Sequence, residues 1–351
     1  MGRNALLFVA ALAVNLVWLL TAQGKTLIDL LLFDLGLLVS GVVLSMVALV
    51  GTLLAAQMAE RAGRAGLARA FYRLATGLGL IPESRFASQV SEMALATQQE
   101  DYAAADALWL EVESHLGNPA VCATWAVANR AASLVYRGRL KEALQALDRP
   151  EAAEDSEKVR SRPLFPLAEA MRLNNRASAL IAMGHFDEAE SCLAAVGPGA
   201  DRHPPLLALV RLNRAWLAWH RGDREGALRK MDVPEHGPAE LAWALLLAVC
   251  GELDRAEDLL SRKGGRVCPE GTVRARYLRE MAFGWVAAGR DHRTEALRHW
   301  GAAAALPVPP GYDMLAAARL AEEWGQTEAA GLCREALRTR APESVWAASA
   351  A

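Results

Sequence analysis

Asn175-Arg176-Ala177-Ser178-Ala179-Leu180-Ile181-Ala182-Met183-Gly184-His185-Phe186-Asp187-Glu188-Ala189 decides how this chain folds. Apolar residues recur at three- and four-residue spacing up to Gly184, as on one face of a helix, and a second helical run opens behind it. Glycine suits the left-handed end of a helix, and a residue as small as Ala189 lets an antiparallel helix approach closely. The wording recurs: Asn129-Arg130-Ala131 precedes Gly138, and Asn213-Arg214-Ala215 precedes Gly222, at the same remove. Self-similarity of this kind marks stacked helix pairs, whose usual work is holding other molecules.

Gly138-Arg139-Leu140-Lys141-Glu142-Ala143 copies the Gly184 turn closely. Looser copies are Gly222 with Ala227, Gly251-Glu252-Leu253-Asp254-Arg255-Ala256, Gly289 with Ala296, and Gly325 with Ala330. Asp101-Tyr102 with Ala105 makes a variant opening, which gives seven candidate units. No run from about Ser84 onward alternates as a strand would, so the predicted fold is all-α. Pro150 to Pro166, with Glu151, Glu154, Asp155 and Glu157, reads as an acidic surface loop, and Gly197–Pro205, Arg262–Gly271 and Leu306–Gly311 read as further linkers.

These turns resemble tetratricopeptide repeats, helix pairs of about 34 residues with small residues where the helices touch. The resemblance implies a tetratricopeptide-like α-solenoid over residues 84–340, followed by a C-terminal tail at 341–351. It also implies that an extended peptide or helix binds along a concave face lined by the first helix of each pair. Counting back from each turn gives the groove candidates: Trp125, Ala132 and Tyr136; Met171, Asn174 and Ser178; Leu212, Trp216, Trp219 and His220; Arg276, Arg279 and Phe283. Aromatic rings with arginine nearby suit a protein-binding hot spot, and equally they can fill the seams between helices. Asn129, Asn175 and Asn213 match a position at which chaperone-binding members of the family grip a partner's terminal carboxylate. The lysines that accompany it there are absent, with Ala128 and Leu212 in flanking places. The other reading of these asparagines is an amide hydrogen bond to the adjoining repeat's backbone.

The start of the chain reads differently. Residues 1–57 form a predicted transmembrane helical hairpin, because 5–22 and 35–56 are uncharged, apolar and long enough to cross a hydrocarbon core. Asp29 and Asp34 fall in the intervening turn. Arg3 precedes the first span and Arg61, Arg64, Arg69 and Arg73 follow the second, while the turn has only Lys25, so both ends are expected on the cytoplasmic side. The rival reading takes residues 1–22 as a cleaved signal peptide. Residues 58–83 form a basic helix with two readings: a surface helix whose four arginines meet anionic lipid, or the first helix of the array. Gly41 with Ser45 is a small-xxx-small pair that lets helices approach.

Of 351 residues, 53% are apolar, concentrated in the first sixty, and the formal net charge of −2 without a basic stripe argues against nucleic acid as partner. The five cysteines are scattered, as reduced thiols would be, and the seven histidines show no metal-ligand spacing. No phosphate-cradling loop and no local catalytic signature occur, so neither metal, cofactor nor enzymatic activity is expected. The sequence predicts a bacterial inner-membrane, multi-pass scaffold whose repeats face the cytoplasm and assemble protein partners. The hairpin-plus-array order is similar to that of HemY-like proteins, which implies a link to tetrapyrrole synthesis. The alternative is a regulator of envelope assembly, secretion or tetrapyrrole synthesis that acts through its membrane helices.

Overall fold

The computed structural model describes residues 27–79, 81–153, 155–197, 200–201, 203–230, 240–261 and 272–350, and its described residues contain helices and turns without strands. Helices α1 (Leu27–Arg61), α2 (Ala65–Leu78), α3 (Pro82–Gln98), α4 (Tyr102–Glu113), α5 (Ala123–Tyr136) and α6 (Leu140–Leu147) come first. Two short helices, α7 (Pro150–Ala153) and α8 (Glu157–Arg160), interrupt the alternation. Next come α9 (Leu164–Met183), α10 (Phe186–Ala195), α11 (Pro204–His220), α12 (Arg224–Arg229), α13 (Glu240–Val249), α14 (Leu253–Ser261), α15 (Val273–Gly289) and α16 (Arg293–Ala304). The last three are α17 (Tyr312–Glu323), α18 (Thr327–Arg340) and α19 (Val345–Ala348).

One turn, used eight times, organises this order. The described residues with left-handed φ are Gly63, Glu100, Gly138, Gly184, Gly222, Gly251, Asp291 and Gly325, and each joins the two helices of a pair. At every one, the next residue's N–H reaches back five positions, as from Arg139 to the Leu134 carbonyl and from His185 to that of Leu180. That bond satisfies a carbonyl which the ending helix leaves unpaired. Five residues beyond each left-handed position stands an alanine: Ala68, Ala105, Ala143, Ala189, Ala227, Ala256, Ala296 and Ala330, none more than 1% exposed. The absence of a larger side chain at these points is what brings the paired helices together. First helices of successive pairs then pack on one another, α3 on α5, α5 on α9 and α13 on α15.

Two expectations change here. Gly289 is no turn residue but ends α15, where a methyl group would stand 2.8 Å from the Leu253 side chain; Asp291 takes the left-handed position. Residues 58–83 do not form one helix, since the chain breaks at 62–64 and Pro82 opens α3 at its first turn, where a missing N–H costs nothing. α2 instead folds back on α1 through the Gly63 turn, and the two make a first pair ahead of the seven expected. Arg69 meets Asp101 at 2.7 Å and Arg73 meets Glu92 at 2.6 Å, while Arg64 is exposed. The side chain of Arg61 and the span expected at 5–22 lie outside the described residues.

Nothing from Leu27 to Arg61 interrupts α1, so Asp29 and Asp34, expected in a turn, belong to its helical backbone. Among the described residues it is one helix long and apolar enough to cross a membrane, over Gly41–Glu60, with a mean hydropathy of 2.1. Leu44 and Val47 stand open, at 73% and 64% exposure. The last turns are instead built into the array: Ala56 and Ala59 pack with Ala68 and Tyr72 of α2 and Leu95 of α3. The Tyr72 hydroxyl also donates to Glu60 at 3.1 Å.

The expected acidic loop is likewise part of the fold. α5 begins after Cys122, whose side chain offers its first N–H groups no acceptor. Asp155, 7% exposed, supplies one from outside, accepting from the N–H groups of Ala123 at 3.0 Å and Thr124 at 3.1 Å and from the Thr124 hydroxyl at 2.6 Å.

The array curls until its ends meet. The Glu100 carboxylate, at the second turn, accepts from the N–H groups of Val273 at 2.7 Å and Arg274 at 2.6 Å, so it caps α15. Arg340 closes α18 onto the Ala304 and Leu306 carbonyls. The chain beyond it, expected as a tail, crosses back to α9, and Ala341, Ser344, Ala347 and Ala350 are buried.

Candidate functional site

α11 ends with Trp216, Trp219 and His220, which helical spacing puts on one face. Trp216 and Trp219 meet edge to face at 5.5 Å, and His220 lies 5.8 Å from Trp216 and 5.2 Å from Trp219. Three rings arrive from elsewhere. Phe186, the first residue of α10, stacks on His220 at 5.6 Å; Tyr312, the first of α17, meets Trp219 edge-on at 4.7 Å; and Trp346 of α19 stacks on His220 at 4.8 Å. Desolvation among these rings pushes His220 down to about 4, so its imidazole is neutral at physiological pH.

The neighbouring turns complete the surface. A methyl on Gly184 would come within 3.1 Å of the Val345 side chain, and one on Gly138 within 2.9 Å of the Arg340 carbonyl oxygen. The Lys141 N–H, in the first turn of α6, donates to Glu343 at 2.8 Å. Tyr136 lies nearby in sequence and carries the Arg274 guanidinium 4.2 Å above its ring, a cation–π contact between the third and seventh pairs.

Most of the other groove candidates are placed in helix seams. Trp125 packs against the cores on either side of α5, and its carbonyl accepts from the Asn129 amide at 2.9 Å. The Asn175 amide donates to the Ala128 carbonyl at 2.8 Å, across two first helices. The Asn213 amide donates to Asn174 at 2.9 Å and to Ser178 at 2.8 Å, and Asn174 is 3% exposed. So Asn175 and Asn213 bridge neighbouring pairs, whereas Asn129 bonds within its own helix. Met171 packs on the core around α9 and Leu212 is buried in the next one. Phe283 stacks on His299 of its own pair at 5.5 Å, and His299 meets Glu280 at 2.7 Å. Arg276 is exposed and Arg279 half-buried on the same helix. The structure therefore unites Trp216, Trp219 and His220 in one ring cluster, while Phe283 packs on the same core and stacks within its own pair.

Phe186, Tyr312, Glu343 and Trp346 join the surface without having stood among the groove candidates. Phe186 occupies the docking position after a turn glycine, and Trp346 is the one aromatic residue beyond Arg340. Behind Tyr312, the buried Tyr277 hydroxyl donates to Asp313 at 2.9 Å. Desolvation pushes the Asp313 carboxyl up to about 6, against the hydrogen bond from Tyr277. Burial also pushes the Cys122 and Cys333 thiols up to about 12 and Cys250 up to about 11, so all three stay protonated and unreactive.

No protein-family model matches the chain, and no curated protein matches its sequence.

Proposed function

We propose that this chain is a membrane-anchored scaffold of the tetratricopeptide type that holds protein partners at the bacterial inner membrane. The observation that carries the reading is the ring surface of Trp216, Trp219 and His220 at the helix-pair turns, which receives a linear segment, Glu343 to Ala348. Large rigid rings bury much area at small entropic cost, which suits recognition of a peptide or helix. The eightfold turn and its alanines support the tetratricopeptide assignment.

α1 supports the anchor. Its exposed apolar stretch runs into the first helix pair, so a bilayer-embedded helix would hold the array rigidly at the surface and raise the local concentration of whatever it binds. The arginines after the span favour a cytoplasmic array. The likeness of this architecture to that of HemY-like proteins makes enzymes of tetrapyrrole synthesis the first partners to test.

The test is capture of partners from native membranes and cytoplasm by the detergent-solubilised full chain, with Trp216→Ala/Trp219→Ala as control. The reading expects captured proteins that the double variant loses while keeping its helical circular dichroism; capture equal in both would refute it. A regulator acting through α1 is the second reading, favoured by the surface at Gly41, where among the described residues no atom lies within 4 Å of the added methyl position. It predicts capture that survives the tryptophan changes and is lost on Gly41→Leu.

A further inference from the structure

The eighth helix pair is complete at Arg340, whose guanidinium ties α18 to the carbonyls at the end of α16. Beyond that tie, a short segment is laid across pairs far from it in sequence. The contact between Lys141 and Glu343 joins residues 202 positions apart. Three features hold the segment. The Glu343 carboxylate takes an N–H at the start of α6, where the helix end favours negative charge. Val345 rests on Gly184, where a side chain would leave no room. Trp346 enters between His220, Tyr312 and Phe186, at 4.8, 4.9 and 6.2 Å. Ser344 caps the single helical turn by accepting from the Ala347 N–H at 3.2 Å, so the segment carries its own local order.

We infer that this surface is a receptor for a linear peptide with an acidic residue three positions before a tryptophan, and that Glu343–Ala348 is its resident, displaceable occupant. The inference rests on the groove reading and names the chemistry of the partner. Each element of the peptide has a counterpart on the receptor: the acid meets a helix start, the small-to-medium residue before tryptophan meets a glycine turn, and the indole meets a ring cluster. A tethered occupant acts at an effective concentration of the order of millimolar for a short flexible tether. A partner's apparent affinity is therefore reduced by the fraction of open receptor. Gathering anchored array and partner on one membrane offsets that reduction, so the resident segment confines binding to partners concentrated there.

The experiment titrates a fluorescently labelled peptide of residues 341–350 into the full chain in detergent micelles and reads anisotropy. Wild type is compared with Trp346→Ala and with Glu343→Lys, which disturbs only the Lys141 contact; helical circular dichroism verifies folding. The peptide is expected to bind at least one of these variants about 30-fold more tightly than wild type, and to lose about 30-fold when its own tryptophan is replaced by alanine. Failure of both variants to gain affinity, or equal binding by the tryptophan-free peptide, would overturn the inference. So would a wild-type dimer that Trp346→Ala abolishes, since the occupant would then be exchanged between two copies. Partner capture lost in Trp216→Ala/Trp219→Ala, with no peptide binding to either open variant, refutes this inference alone. Peptide binding as expected, with partner capture unchanged in that double variant, refutes the groove reading alone.

Discussion

The indole of Trp346 stacks on the imidazole of His220 with ring centres 4.8 Å apart, which joins the last helical turn of the described chain to the end of a helix in the fifth pair. Trp346→Ala removes that contact and those with Tyr312 and Phe186 at once. A half-buried tryptophan in such a cluster contributes about 2 kcal/mol through area and ring contacts. Hydrogen exchange of the amides around Phe186 and His220 is expected to rise by about 30-fold, while α5 and α13 keep their protection. Unchanged exchange at the cluster would mean that the terminal turn stabilises nothing beneath it.

Acid should act on this cluster with a sign set by His220. The imidazole titrates near 6.5 when free and near 4 here, so the unfolded chain binds a proton first as pH falls. Its contribution is complete above pH 6.5 and is lost as pH falls towards 4, by about 2 kcal/mol at pH 5. Asp313 runs the other way: its pKa rises from 3.8 to about 6, so its contribution is complete below pH 3.8 and is lost as pH rises through 6. The two slopes oppose each other between about pH 4 and 6. His220→Phe should therefore leave stability falling as pH rises through that window, and Asp313→Asn should leave it rising. Urea midpoints across a pH series measure both, and parallel profiles for the two variants would contradict the assigned directions.

Turn glycines with the same backbone should respond differently to the same change. Gly184 and Gly222 both have φ of +81, so an alanine at either costs about 1–2 kcal/mol of left-handed strain. At Gly222 nothing among the described residues lies within 4 Å of the new methyl, whereas at Gly184 it meets Val345 at 3.1 Å. Gly184→Ala should add to the strain a displacement of the terminal turn, seen as faster hydrogen exchange at 344–348; Gly222→Ala should not. Equal exchange at 344–348 in both variants would place Val345 elsewhere in solution.

The helix pairs are legible in the sequence because their signal is local. A left-handed residue followed five positions later by alanine is written there, and seven of the eight marker alanines can be read from it. Gly289 misleads because glycine is the residue sought where the backbone uses Asp291, and aspartate tolerates left-handed φ better than most residues. Gly63 with Ala68 obeys the same spacing but stands in a segment dominated by its arginines, which hides the first pair. The ring surface is legible only in half: Trp216, Trp219 and His220 share a helix face, but Tyr312 and Trp346 reach them by closure of the whole array, which no local pattern encodes. The asparagines show the same limit, since one Asn-Arg-Ala wording gives Asn129 a bond within its helix and Asn175 a bond across two.

Asp155 offers the sharpest separation of charge from surface location. Its carboxylate is the acceptor for two backbone N–H groups and one hydroxyl at the start of α5, and it is 7% exposed. Asp155→Ala takes this buried acceptor away from the start of α5, which costs about 2 kcal/mol, more than an ordinary exposed cap. Glu157→Ala, two residues on and exposed, should shift stability by less than about 0.5 kcal/mol. Asp155→Asn keeps one acceptor oxygen and should fall between them. Denaturation midpoints in that order identify Asp155 as part of the fold, whereas equal midpoints for the Asp155 and Glu157 alanine variants would return the segment to the solvent loop its composition suggests.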